Sequence, residues 1–351
     1  MPSHDDVFTI REMQILFNHL QFRADTLDVS YGLLDDFPLL AATPTEDGYS
    51  LAVEEPDFSK YSDYPGEIMP ELPAYNDLKE CFLSSGCLKY ANAEKFEDAY
   101  KGFRDINKRV YFSPDSNILY HGFLSASFLK KEKIPIPETV TDEIKHAMNH
   151  RYDRETIDAL CSNFKTKAAF IRQLFNKRIK RSRKAAYLAM REKKKLTPIE
   201  LEASDAGLEP LAPHTQITSE ENDRRIVQEV QEFANVSSAR VVLLTADQLV
   251  MDLCEVVGQE YFMFNLPERI EVTACTASRF QELIFNLAAV FGVIKVNNVR
   301  IYGEFPNKNG LDELKVEFLN EPTREAVLND LVLCRKLLGL KQDLAARGMD
   351  F

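Results

Sequence analysis

Four consecutive apolar residues, Val241-Val242-Leu243-Leu244, stand between two amphipathic stretches with helical spacing, about 223–234 and 246–257. A run that short and that continuously apolar suits a strand buried on both faces. A second apolar stretch, Tyr261-Phe262-Met263-Phe264, follows the second helix. Upstream, Val110-Tyr111-Phe112 forms a short apolar strand that stops at Ser113-Pro114-Asp115, and a helical pattern follows from Ile118 to Phe128. Ile134–Pro137 suits a short extended piece, and Val140–His150 is helical again. Strands alternating with helices predict an α/β fold with a central parallel sheet sandwiched by helices.

The 351 residues leave room for two or three domains at roughly 100–200 residues each. Charge divides the chain unevenly. The formal net charge is −12, which argues against nonspecific nucleic-acid binding over the whole surface. Residues 1–105 hold 21 acids against 8 bases, whereas residues 165–195 hold 13 bases against one acid, Glu192. The N-terminal stretch opens with a capping box, Thr9-x-x-Glu12, before a helical spacing of Ile10, Met13, Phe17 and Leu20. Prolines 56, 65, 70 and 73 mark a loop, and helical patterns recur near 75–90 and 92–106. The basic stretch has the apolar spacing of a helix or helix pair, and 197–218 resembles a loop. After Pro267 the pattern is strand (269–273), helix (280–291), two strands near 293–304 and 313–319 around a turn at 306–310, and a closing helix (321–339). The expected division is an acidic, mostly helical region at 1–107, a central domain at 108–266 carrying a basic helical insertion at 160–215, and a small C-terminal α/β domain at 267–351.

Some function classes are disfavoured. No stretch approaches the roughly 20 apolar residues of a membrane helix, and the N-terminus is not a signal peptide. The six cysteines form no CxxC pair, so reduced thiols in a cytoplasmic protein are expected. No Walker A loop, GxGxxG turn or GxSxG elbow occurs. His146 and His150 share a helical face, but Ala147 stands where a zinc-protease helix needs Glu.

In a parallel α/β sheet, ligands bind beyond the carboxyl ends of the strands. Four acids fall near such positions. Asp115 follows the strand at 110–112, Glu143 lies in the first turn of the helix after 134–137, Asp223 opens the helix at 223–234, and Asp247 follows the strand at 241–244. Each has a plainer explanation, because acids favour helix N-termini and turns. Thr245-x-x-Gln248, for example, is itself a capping box. Their joint placement is what raises them above that background.

The surrounding residues carry a resemblance. Val110–Tyr120 resembles the opening of a PIN domain, a hydrophobic strand ending in Asp and a small residue before a helix. Thr139-Val140-Thr141-Asp142-Glu143-Ile144 is similar to the family's second motif, Asn222-Asp223-Arg224-Arg225-Ile226 to its third, and Val241–Asp247 to its fourth. The resemblance covers about residues 108–266. It departs from compact family members in the long interval between Glu143 and Asp223, and it leaves Asp142 and Glu143 as alternatives for the second acid. What it implies is a metal-dependent nuclease, an endoribonuclease acting on RNA through Asp115, Glu143, Asp223 and Asp247. These would hold Mg²⁺ or Mn²⁺, with Asn117 and Thr245 hydrogen-bonded to the carboxylates. Hard cations prefer such oxygen ligands. The family's products carry a 5′-phosphate and a 3′-hydroxyl, and pairing of PIN domains makes a homodimer an expectation.

Lys177, Arg178, Lys180, Arg181, Arg183 and Lys184 are the densest bases and the expected RNA contact. An intramolecular contact between the basic stretch and the acidic N-terminal region is a further expectation. The rival readings are a structure-specific DNA nuclease of the wider PIN-like class, a non-catalytic RNA-binding protein with this fold, and the toxin half of a toxin–antitoxin pair.

Overall fold

Alternating burial in strands such as 48–52 and continuous burial at 241–245 belong to different sheets, and the described residues form three sheets, of eight, three and two strands. The computed structural model describes residues 6–33, 37–53, 58, 72–104, 108–175, 185–201, 219–305, 308 and 310–346. The first elements are β1 (Val7–Thr9), α1 (Met13–Gln21), β2 (Leu27–Tyr31), β3 (Phe37–Thr45), β4 (Gly48–Ala52), α2 (Tyr75–Ser84) and α3 (Ala93–Arg104). Then come β5 (Val110–Pro114), α4 (Ser116–Tyr120), α5 (Phe123–Ala126), β6 (Lys133–Ile136), α6 (Glu138–Asn149), α7 (Arg154–Asn163) and α8 (Ala168–Phe175). They are followed by α9 (Ala185–Lys195), β7 (Thr197–Glu200), α10 (Ser219–Ser237), β8 (Arg240–Thr245), α11 (Gln248–Val257) and β9 (Tyr261–Met263). The last are β10 (Ala274–Thr276), α12 (Ala277–Phe291), β11 (Val293–Val296), β12 (Val299–Tyr302), β13 (Glu313–Phe318) and α13 (Glu321–Ala346). They fall into one unit of Met1–Leu78, Tyr152–Arg178 and Glu271–Phe351, and a second of Lys79–Arg151 and Ile179–Ile270.

The second unit contains the buried run at 241–244. Here β5, β8 and β9 form a parallel sheet in that order, with Pro114 opposite Leu244 and Thr245 opposite Met263. β6 and β7 pair in parallel, and β6 lies beside β5. Ile226, Val227 and Val230 of α10 and Val250 of α11 pack into this core, where Val242, Leu243 and Leu244 are buried. Aromatic rings also fill it: Phe96 of α3 meets Phe112, Phe123, Phe262 and Phe264 at centroid separations of 4.9–5.9 Å. This is the mixed α/β, PIN-like arrangement that the alternation predicts.

The unit differs from the sequence expectation in its parts. The helix expected over 118–128 is two helices, because Gly122 (φ +63°) turns the chain between α4 and α5. A Cβ there would stand 2.9 Å from the Ser84 carbonyl oxygen, so a side chain is excluded by both backbone and space. The basic stretch is not one insertion. Its later part, α9, buries Ala186 and Ala189 in the core against α4 and α6, and β7 joins β6. α7 and α8 belong to the other unit.

In the first unit, eight strands form an antiparallel sheet in the order β1-β13-β12-β11-β2-β3-β4-β10. Residues 1–107 do contain more helix than strand among the described positions, but their strands pair with those of the C-terminal region: Val7 with Lys315, Tyr31 with Ile294, and Tyr49 with Cys275. The two terminal segments therefore share a sheet, where the sequence reading separates them. The strand expected at 269–273 lies at Ala274–Thr276 instead. α12 has ten buried residues and packs on this sheet and on α1, with Phe280 stacked on Tyr49 at 4.3 Å and Phe291 edge-on to Tyr31 at 5.4 Å. All six cysteines are free, and among the described residues no helix is long and apolar enough to cross a membrane.

Gly122→Ala should destabilise the second unit by about 1–3 kcal/mol, read by urea unfolding. An unchanged midpoint would show that the turn tolerates a side chain.

Candidate functional site

The carboxyl edge of β5 and β8 gathers the first two acids. Asp115 donates its N–H to the Leu244 carbonyl (2.9 Å), which extends the β5–β8 ladder by one residue. Its side chain then caps α4, accepting from the Ile118 N–H (2.9 Å) and from the Thr245 hydroxyl (2.5 Å). Thr245 ends β8 and its hydroxyl also accepts from the Asp247 N–H (2.9 Å). Asp247 caps α11 by accepting from the Leu249 N–H at 2.8 Å. The cap is thus Asp247, and Thr245 is turned toward Asp115 instead of closing the capping box its sequence suggests.

The other two acids come from helices. Asp223 lies one turn inside α10, which begins at Ser219 and not at Asp223. Glu143 sits in the second turn of α6, where it accepts from the Ser116 hydroxyl and from Asn222 Nδ2 (2.7 Å). Asp142 instead meets Lys145 at the surface (3.1 Å). Glu229 of α10 holds α6 in place, accepting from the Thr139 hydroxyl at 2.5 Å and from the Thr139 N–H at 3.3 Å.

Electrostatics links the four. Asp115 is 2% exposed, and burial pushes its carboxyl up to about 7; Thr245 and Ile118 oppose that rise, and the Asp247 charge adds to it. Asp223 is pushed up to about 6, first by burial and then by the charges of Asp247, Glu143 and Glu220. Asp247 therefore acts on both Asp115 and Asp223, while Glu143 acts on Asp223. Among the described residues, no three His, Cys, Asp or Glu side chains stand close enough to form a preassembled metal cage. The acids form an electrostatically coupled group in which Asp115, Glu143 and Asp247 accept hydrogen bonds, and closer approach of these three would require exchanging some of those bonds for a cation.

Deeper in the same unit, Tyr90 hydrogen-bonds His121 Nδ1 at 2.7 Å. Burial lowers His121 to about 4 and raises Tyr90, with Asp115 contributing to the latter. The ring of His121 is therefore neutral at pH 7, where it supports the turn after α4. Glu192, the one acid of the basic stretch, accepts from Ser125 (N–H 2.6 Å) and ties α9 to α5.

Lys177, Arg178, Lys180, Arg181, Arg183 and Lys184 lie outside the described residues. The described bases nearby are largely engaged within their own units: Arg172 with Asp158 (3.0 Å), Lys167 with the Leu33 carbonyl (2.6 Å), and Lys193 with Thr141 (2.8 Å) and Glu200 (2.9 Å). Asn117 lies in the first turn of α4, where its carbonyl accepts from His121 (3.0 Å). The side chains bonded to Glu143 are Ser116 and Asn222, which the sequence reading passed over although each adjoins a selected acid. Glu229 has no local signal, because its partner Thr139 is 90 residues away.

Residues 112–256 match the family described as PIN domain. This segment is a PIN domain. The match lies inside the span of the resemblance read from the motifs and includes all four acids. PIN domains are generally nucleases acting on nucleic acids and typically use divalent metals. No curated protein matches the chain.

The PIN domain's buried acid should give a pH signature. Asp115 has a folded value of about 7 against an ordinary 3.8. Its contribution to stability is full below the unfolded value and is lost as pH rises through about 7. In chelator-treated protein, urea stability should fall by up to about 4 kcal/mol from pH 4 to 8 through this group. Asp115→Asn should remove most of that slope, and an unchanged slope would contradict it. Thr245→Val should push the Asp115 carboxyl still higher, read by carbon-13 titration.

Proposed function

We propose that the PIN domain is a divalent-metal-dependent ribonuclease, with Asp115, Glu143, Asp223 and Asp247 as its reactive group. The observation that carries the reading is the mutual charge of four carboxylates drawn from the ends of β5 and β8 and from α6 and α10. Burial and neighbouring charge raise two of them, Asp115 and Asp223, above the ordinary carboxylate value, and a cation would oppose that rise. The donors are oxygens, which suits Mg²⁺ or Mn²⁺ over softer ions. Asp115, Asp223 and Asp247 would hold the ion. When bound, such an ion supplies charge neutralisation and a more acidic water.

The protein's own groups organise the rest. Glu143, oriented by Ser116 and Asn222, accepts the proton of the attacking water. Water oxygen bonds to phosphorus in line with the departing 3′-oxygen; the P–O3′ bond breaks, and the leaving oxygen takes a proton from solvent. The products are a 5′-phosphate and a 3′-hydroxyl. Thr245 keeps Asp115 in one orientation throughout. The six bases at 177–184 are the proposed backbone contact, because neutralised phosphates release counterions.

Asp115→Asn should reduce Mn²⁺-dependent cleavage of single-stranded RNA to background while circular dichroism is unchanged. A fully active variant would overturn the assignment. Cleavage of flapped DNA in preference to RNA would favour a structure-specific DNA nuclease instead. Replacing Lys177, Arg178, Lys180, Arg181, Arg183 and Lys184 by Gln should flatten the salt dependence of RNA binding, with a slope change of up to about 4 in log–log terms. An unchanged slope would place the contact elsewhere.

A further inference from the structure

α13 presents an apolar seam outside its own packing face. Thr323, Val327 and Leu331 are buried, and His19–Asp330 (2.8 Å) and Glu12–Arg335 (2.7 Å) fasten this part of the helix within its unit. Leu333, Leu337 and Leu340 are nonetheless 54%, 56% and 52% exposed, and off their stripe Val332 (48%) and Leu338 (57%) are exposed as well. With Leu344 they follow one another at spacings of four, three and four residues, the repeat of a two-heptad coiled-coil seam. At about 100° per residue the seam lies roughly a third of a turn from the buried face. Three leucines half open to water on one stripe of one helix constitute an interaction surface.

We propose that α13 pairs antiparallel with α13 of a second copy of this chain. The charges beside the seam select both the occupant and the direction. In an antiparallel pair, Leu333 faces Leu344 of the second copy and Leu337 faces Leu340, so every layer is leucine on leucine. Lys336 then flanks Asp343 of the second copy, and twofold symmetry repeats the pair. In a parallel pair the flanking partner of Lys336 is Lys341 of the second copy, a like-charge contact. Lys336, Lys341 and Asp343 are all exposed and available for these roles. The seam is therefore self-complementary in one orientation and self-repelling in the other.

The test uses the full chain and is independent of nuclease activity. Sedimentation across the micromolar range should find a species of twice the 40.2 kDa chain mass. Leu337→Asp should give a monomer with unchanged circular dichroism, because that side chain is 56% exposed and lies away from the buried residues Thr323, Val327 and Leu331. Lys336→Glu and Asp343→Lys should each weaken the dimer about tenfold, and the double exchange K336E/D343K should restore it to within about threefold of wild type. A monomeric wild type, or a dimer that survives Leu337→Asp, would overturn the proposal. Failure of the double exchange to rescue would overturn the antiparallel register. Binding of the helix to anionic vesicles with no self-association would assign the seam to lipid and also overturn it.

Discussion

The hydroxyl of Thr245 is the interaction on which the PIN domain's acidic edge depends. It donates to the buried Asp115 carboxylate and accepts from the Asp247 N–H, so one side chain at the end of β8 sets two acids from different strands. The parallel pairing of β5 with β8 puts it there: Pro114 is opposite Leu244, and the next residue on each strand is Asp115 or Thr245. A shift of one residue would turn Thr245 to the other face of the sheet and leave Asp115 buried without its strongest donor. Continuous burial of Val242, Leu243 and Leu244 makes such a shift costly, since it would move a packed set of side chains.

A second constraint brings the helices to this edge. α6 and α10 are pinned together by Glu229 at Thr139 and by Asn222 at Glu143. These bonds place Asp223 within electrostatic reach of Glu143 and of Asp247. Packing alone would leave the rotation of α10 loosely defined, because its apolar stripe can roll against the sheet. The polar bonds fix which face Asp223 presents. Local stability and reactivity are in opposition here: burying like charges weakens the fold, and the same burial makes the edge receptive to a cation.

Much of the second unit was legible in the sequence. The buried strand at 241–244, the strand at 110–112 and the helix at 248–257 follow from apolar runs of different period, which local pattern reports faithfully. Asp115 and Asp247 were legible for the same reason, since each directly follows a strand. Asp223 was placed at a helix start because acids cluster there, and α10 begins a turn earlier. Ser116, Asn222 and Glu229 act through partners 27, 79 and 90 residues away, and no local pattern encodes such distances. The pairing of β2 with β11, and of β1 with β13, was hidden for the same physical reason: a strand's period marks a buried face but not the identity of its neighbour. The basic stretch misled as a unit because charge composition says nothing of packing. Ala186 and Ala189 are core residues of α9 although three lysines end that helix.

The central claim is that a shared negative charge at one sheet edge receives a divalent ion. A crystal structure of the full chain grown with Mn²⁺, with data collected at the manganese absorption edge, tests it most directly. The account predicts an anomalous peak bonded to carboxylate oxygens of Asp115, Asp223 and Asp247, with Glu143 beside it. An anomalous map with manganese bound elsewhere in the protein, or bare at these four side chains, would contradict it.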